Sequence, residues 1–218
     1  MILALVLAVP LIVASELEAE RAAPSRAQGA TPARAFAGIP QNGNALGSPS
    51  APVTLVEYGD LQCPYCAQWA VHTLPVLVAQ YVRGGRLRIE FDGLAFLGPD
   101  SVTALRTAVA AGRQNRLWDV VDALYLRQGA ENSGWLTPAV LGDVARAAGL
   151  DPARLARARE QTWVTQELLR AETSARRAGV RGTPSFAIGR TGRPPKRVEL
   201  RSLDTAGILP AIDAALAK

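Results

Sequence analysis

The sequence predicts an α/β fold. Three observations point to it. A β-rich run at residues 53–58 passes directly into a helical pattern, a second strand pattern follows at 86–91, and β character returns at 185–200 after a long helical stretch.

Residues 53–58 read Val-Thr-Leu-Val-Glu-Tyr, bounded by Pro52 and by Gly59-Asp60, which is the composition of a buried central strand. Beyond it, Ala67, Trp69, Ala70, Val71, Leu74, Val76, Leu77, Val78, Tyr81 and Val82 give a dense apolar helical pattern that ends at Gly84-Gly85. Residues 86–91 alternate polar and apolar, so they form a second strand, parallel to the first across a βαβ crossover. Four helices follow, at 101–111, 117–127, 137–148 and 151–177, with Thr137-Pro138 and Asp151-Pro152 as start signals. Residues 185–188 and 196–200 form an antiparallel hairpin around a Gly- and Pro-containing turn, and a last helix covers 203–217. Residues 38–44 and 47–49 read as turns leading into the first strand.

Composition agrees with one globular domain. Of 218 residues, 49% are hydrophobic and 20% charged, ample for a single core. The net charge of +5 is concentrated, since residues 179–201 hold six basic residues (Arg181, Arg190, Arg193, Lys196, Arg197, Arg201) against Glu199 alone. Most such runs are solvated surface; the alternative is a docking face for acidic protein or an anionic membrane. Elsewhere the basic residues are scattered and aromatic residues make up only 6%, which argues against nucleic acid as a partner.

Residues 1–14 are almost wholly apolar and end at Ser15-Glu16-Leu17-Glu18, so residues 1–17 are expected to be a signal or membrane-anchor segment. A basic stretch ahead of the apolar run is missing. Residues 18–35 are rich in Ala, Arg and Pro without periodicity and are read as a flexible linker, with the folded domain spanning 36–217.

The chain has two cysteines, both within Cys63-Pro64-Tyr65-Cys66, at the junction of the first strand and its helix. A helix N-terminus favours an anion, so Cys63 is expected to be largely thiolate at neutral pH. Cys66, three residues on, shares its helical face at about 5 to 6 Å between Cβ atoms and points further inward, within disulfide reach. Pro64 suits the first helical turn, where an N–H has no intrahelical role. A stapling disulfide closing so short a loop restrains the unfolded chain by only roughly 2 kcal/mol. A zinc site needs two further ligands, and His72 is the one histidine. The pattern therefore points to redox chemistry. Trp69 reads as core or groove lining and His72 as an exposed helical residue.

The order strand, CxxC helix, strand, helical insert, hairpin, helix resembles a thioredoxin-like fold with an inserted all-helical subdomain at about 100–178, as in DsbA-like thiol:disulfide oxidoreductases. The resemblance spans roughly residues 36–217. It is most specific at residues 46–58, at Gln62-Cys63-Pro64-Tyr65-Cys66 and at Gly182-Thr183-Pro184-Ser185-Phe186. It implies that Thr183-Pro184 is cis and faces the cysteines, with the Thr183 backbone pairing with an extended substrate segment. It also implies that Glu57 is a buried acid serving as proton acceptor for Cys66. Tyr65 replaces the histidine found between the cysteines in the best-known members, which leaves the redox potential open.

The implied activity is donation of the Cys63–Cys66 disulfide to folding exported proteins. The exposed Cys63 sulfur is attacked, a mixed disulfide forms and a second substrate thiol resolves it. The implied partners are reduced exported proteins and a membrane disulfide-generating oxidase; the location is extracytoplasmic, and no metal or organic cofactor is implied. A monomer is expected. The alternatives are a reductase or isomerase using the same cysteines, and a non-catalytic peptide-binding module.

Overall fold

The computed structural model describes residues 35–217. The apolar segment expected at 1–17 and all but the end of the expected linker lie outside the described residues. Among the described residues no helix is long and apolar enough to cross a membrane.

The strands are β1 (Gln41–Asn42), β2 (Ala45–Leu46), β3 (Val53–Asp60), β4 (Leu87–Leu94), β5 (Ser185–Arg190) and β6 (Lys196–Val198). They form one sheet in the order β1-β2-β4-β3-β5-β6. The strand β3 lies at its centre, parallel to β4 and antiparallel to β5. All eight residues of β3 are buried, as expected of a strand covered on both faces. Leu55, Ile89, Phe91 and Phe186 belong to the main core, whereas Val56, Tyr58, Leu94 and Ala187 form a second, smaller core with Ala175 on the opposite face. The predicted α/β architecture is thus the observed one.

Helix α1 (Pro64–Gln68) follows β3 and runs through a π turn at Trp69–Thr73 into α2 (Leu74–Leu77) and a second π turn at Val78–Val82. The apolar pattern predicts one continuous helix here. Pro75 has no N–H to offer the preceding turn, and the helix widens just ahead of it. Between β4 and β5 stand α3 (Pro99–Gly112), α4 (Leu117–Tyr125), α5 (Pro138–Ala147), α6 (Pro152–Ala158) and α7 (Thr162–Arg177); α8 (Thr205–Leu216) closes the fold.

The insert therefore has five helices where four are predicted. The long pattern at 151–177 breaks at residues 159–161, which contain neither Gly nor Pro. Its two halves have different partners: α6 packs on α3 and α5, while α7 packs on α3 and β4. Tertiary packing, not a local breaker, separates them. The turn predicted at 38–44 contains the two-residue strand β1, and β2 lies between it and the turn predicted at 47–49; β1 and β2 pair around Gly43 (φ +60°), and β2 joins the edge of β4. Strands this short show no period-two pattern in sequence. The second hairpin strand ends at Val198, two residues earlier than its pattern predicts.

Candidate active site

The site is built where β3 ends and α1 begins. Cys63 is the N-cap residue of α1 and Pro64 stands in its first turn. The Cys63 amide donates to the Asp60 carbonyl at 3.0 Å, and the Cys63 carbonyl accepts from Ala67 N at 3.1 Å, closing the first turn. The Thr183–Pro184 peptide is cis. The Cys63 thiol lies 3.3 Å from the Thr183 carbonyl oxygen, which accepts its hydrogen bond. The fold thus brings together two segments about 120 residues apart in sequence.

The expectation of an exposed Cys63 sulfur needs correction. Cys63 is only 5% exposed and Cys66 is fully buried. The Cys63 side chain folds against the loop carrying Thr183, and it is Tyr65, 62% exposed, that stands out into solvent. Phe96, on the loop after β4, is a second exposed aromatic residue, and its amide donates to Asp60 Oδ2 at 2.7 Å.

Both cysteines are free thiols. The Cys63 thiol is lowered from 9.0 to about 6. The hydrogen bond from the Cys66 side chain contributes most; Thr183 and the backbone groups of Cys66 and Tyr65 add to it, and burial opposes them. The same relationship works in reverse on Cys66. Its thiol is held well above the usual range by burial, by its bond to Cys63 and by the negative charges of Cys63 and Glu57. One sulfur is thereby prepared as an anion and the other as a neutral thiol.

Glu57 projects from β3 into the main core and is 1% exposed. Its Oε2 accepts the indole N–H of Trp69 at 3.1 Å, while Oε1 has no protein partner. Burial pushes the carboxyl up to about 8, with the Trp69 bond working against it and the Cys63 charge adding to it. Trp69 is fully buried core, its ring 4.3 Å from that of Phe186, and His72 is exposed on the helix.

Several residues that hold the site were not singled out by the sequence. Asp60 is fully buried, and its carboxylate accepts from the amides of Gln62, Phe96 and Leu97 and from the Ser101 hydroxyl, at 2.6–3.1 Å. The Gln62 side chain donates to Ser101 Oγ and Asn132 Oδ1 and accepts from Asn132 N. Gln128 Nε2 donates to the carbonyls of Leu61 and Cys63. The helical insert therefore clamps residues 60–63 from above. Asp60 carried a sequence signal, a carboxylate closing a buried strand, like Glu57, and Gln62 stands in the motif beside Cys63; Ser101, Gln128 and Asn132 act across 39–70 residues of chain.

Comparison with known proteins agrees with this geometry. Residues 41–200 match the sequence profile of a family described as thioredoxin. The chain is 27% identical over 147 residues to a probable disulfide bond formation protein D of Bacillus anthracis, covering 66% of this chain and 68% of that protein. It is 32% identical over 103 residues to the protein of the same description in Bacillus cereus, covering 46% of this chain and about half (48%) of the relative. Oxidised BdbD from Bacillus subtilis superposes with a TM-score of 0.71 at 22% identity, over 83% of this chain and 98% of that one, a likeness of fold. With a thioredoxin-like sheet, a helical insert and a CxxC pair at the N-terminus of the first helix, this chain belongs to the DsbA-like thiol:disulfide oxidoreductases of the thioredoxin family.

Proposed function

We propose that the protein is an extracytoplasmic disulfide donor that passes its Cys63–Cys66 disulfide to folding exported proteins. The observation that carries this reading is the split between the two sulfurs, Cys63 lowered to about 6 and Cys66 raised. Stabilising the Cys63 thiolate favours the dithiol over the disulfide, and that makes the oxidised protein a stronger oxidant.

In this reading a substrate thiolate attacks Cys63 Sγ. The Cys63–Cys66 bond breaks, a substrate–Cys63 disulfide forms, and the Cys66 sulfur leaves carrying the electron pair. A second substrate thiolate then attacks the first substrate sulfur in the mixed disulfide; the substrate disulfide forms, the bond to Cys63 breaks and Cys63 leaves as the thiolate. The thiolate buried at Cys66 takes the proton of Glu57, whose carboxyl, at about 8, is mostly protonated at neutral pH. A disulfide-bearing membrane oxidase reverses these steps and reoxidises the pair, with Glu57 then accepting the Cys66 proton. The Thr183 backbone, beside Pro184, pairs with the extended substrate, and Tyr65 and Pro64 shape the surface around Cys63. The relatives named for disulfide bond formation, together with the apolar start of the sequence, support a setting outside the reducing cytoplasm.

The test is a trap. With Cys66→Ser, mixed disulfides between Cys63 and exported proteins should accumulate and disappear on reduction. A Cys63→Ser protein that kept full function would instead favour a non-catalytic peptide-binding role.

A further inference from the structure

Glu57 sits beside an unexplained hydroxyl. Tyr125, at the end of α4, is 4% exposed, and its Oη makes only a long bond, 3.4 Å, to the Asp60 carbonyl. Tyr125 Oη and Glu57 Oε1 lie 3.0 and 3.2 Å from the point where a β-carbon on Gly59 would stand, so they are within about 6 Å of each other. That separation is within the reach of a single bridging water. The absence of a side chain at Gly59 is what lets both oxygens approach its backbone, since a β-carbon there would also meet the Phe91 ring at 2.8 Å. The Glu57 oxygen on this side is the one without a protein partner.

We propose that Tyr125 is a positioning residue for proton transfer at Cys66: its hydroxyl, across one water beside Gly59, supplies the hydrogen bond that Glu57 Oε1 needs when the carboxylate forms. The proposal rests on Glu57 being the proton carrier.

In reoxidation, Cys66 gives its proton to Glu57 and its sulfur attacks Cys63 Sγ in the mixed disulfide with the oxidant. The Cys63–Cys66 bond forms as the bond to the oxidant breaks, and the oxidant's sulfur departs as thiolate. At that moment Glu57 changes from buried anion to neutral acid. Two donors, the Trp69 N–H on Oε2 and, on Oε1, the water that accepts from the Tyr125 hydroxyl, hold the anionic form ready. The ionisable groups acting on Tyr125 are Cys66 and Cys63 at the start of α1 and Glu57 and Asp60 on β3; Phe91 of β4 also borders the gap. Burial first, then these negative charges, hold the phenol well above its usual range, so it remains a neutral donor wherever Glu57 titrates.

The experiment follows oxidation of the reduced full chain by oxidised glutathione across pH, with Cys63 alkylation measured alongside. In Tyr125→Phe, the pH limb belonging to Glu57 should move up by about one unit and the rate near neutral pH fall by up to about tenfold. The Cys63 alkylation midpoint should stay within a few tenths of a unit. Glu57→Gln should abolish the limb, and Tyr125→Phe on that background should add nothing. A ring-fluorinated tyrosine at position 125, equal in fold demands and a stronger donor, should move the limb down. If Glu57→Gln abolishes the limb while neither change at Tyr125 moves it, the Tyr125 assignment is overturned. If the limb survives Glu57→Gln, the proton-carrier reading fails and takes the assignment with it.

Discussion

Trp69 donates its indole N–H to Glu57 at 3.1 Å, joining the helix that carries the cysteines to the central strand beneath it. The bond is buried at both ends. It satisfies one carboxyl oxygen and restrains the upward drift of Glu57, which burial sets at about 8. Trp69→Phe keeps an aromatic ring against Phe186 and removes only the donor. Glu57 should then titrate still higher, which a pH series of Cys66-dependent exchange measures directly.

Glu57 is costly to the fold above acid pH. Its carboxyl is raised from 4.5 to about 8, so the folded chain keeps a proton that the unfolded chain loses. Stability from this group is therefore full below about pH 4.5 and falls as pH rises towards 8. Glu57→Gln should be stabilising by an amount that grows through that window to a few kcal/mol, seen as a Tm difference larger at pH 8 than at pH 5.

Cys63 behaves in the opposite sense. Its thiol is lowered from 9.0 to about 6, so its contribution to the reduced protein is full above about pH 9 and disappears as pH falls through 6. Alkylation of the reduced protein should follow a midpoint near pH 6, with the buried Cys66 unreactive across neutral pH. Substituting Cys66, the largest single cause of the shift, should move the Cys63 midpoint upward.

The fold class and the reactive pair were legible because their signals are local. The strand composition of residues 53–58, the CxxC spacing and the helical pattern after it all lie within about thirty residues of sequence. The position of Cys63 as N-cap followed from the same stretch. The burial of Cys63 did not, because it depends on the loop of Thr183 more than a hundred residues away. The split of the last insert helices was hidden for a related reason: nothing in Arg159-Glu160-Gln161 breaks a helix, and the turn exists because α7 must reach the far face of the sheet. Tyr125, Gln128 and Asn132 gave no sign of their role, since each reaches the site only through the packing of the insert.

Asp60 tests whether the insert positions the site. Asp60→Ala removes the acceptor for three amides and the Ser101 hydroxyl in a buried setting. The loss should be about 3 kcal/mol or more in denaturant unfolding. Gln128→Ala should cost less, about 1 to 2 kcal/mol, because its amide serves two carbonyls at the site's border.

The central claim, that the pair is a disulfide donor, meets its most direct test in the redox equilibrium of Cys63–Cys66 against glutathione. At pH 7 the lowered Cys63 thiol alone favours the dithiol by about tenfold over an unperturbed one. The expected result is a couple more oxidising than glutathione, tracking the Cys63 titration as pH is varied. A reducing, thioredoxin-like couple would contradict the claim and assign the same two cysteines to a reductase or isomerase.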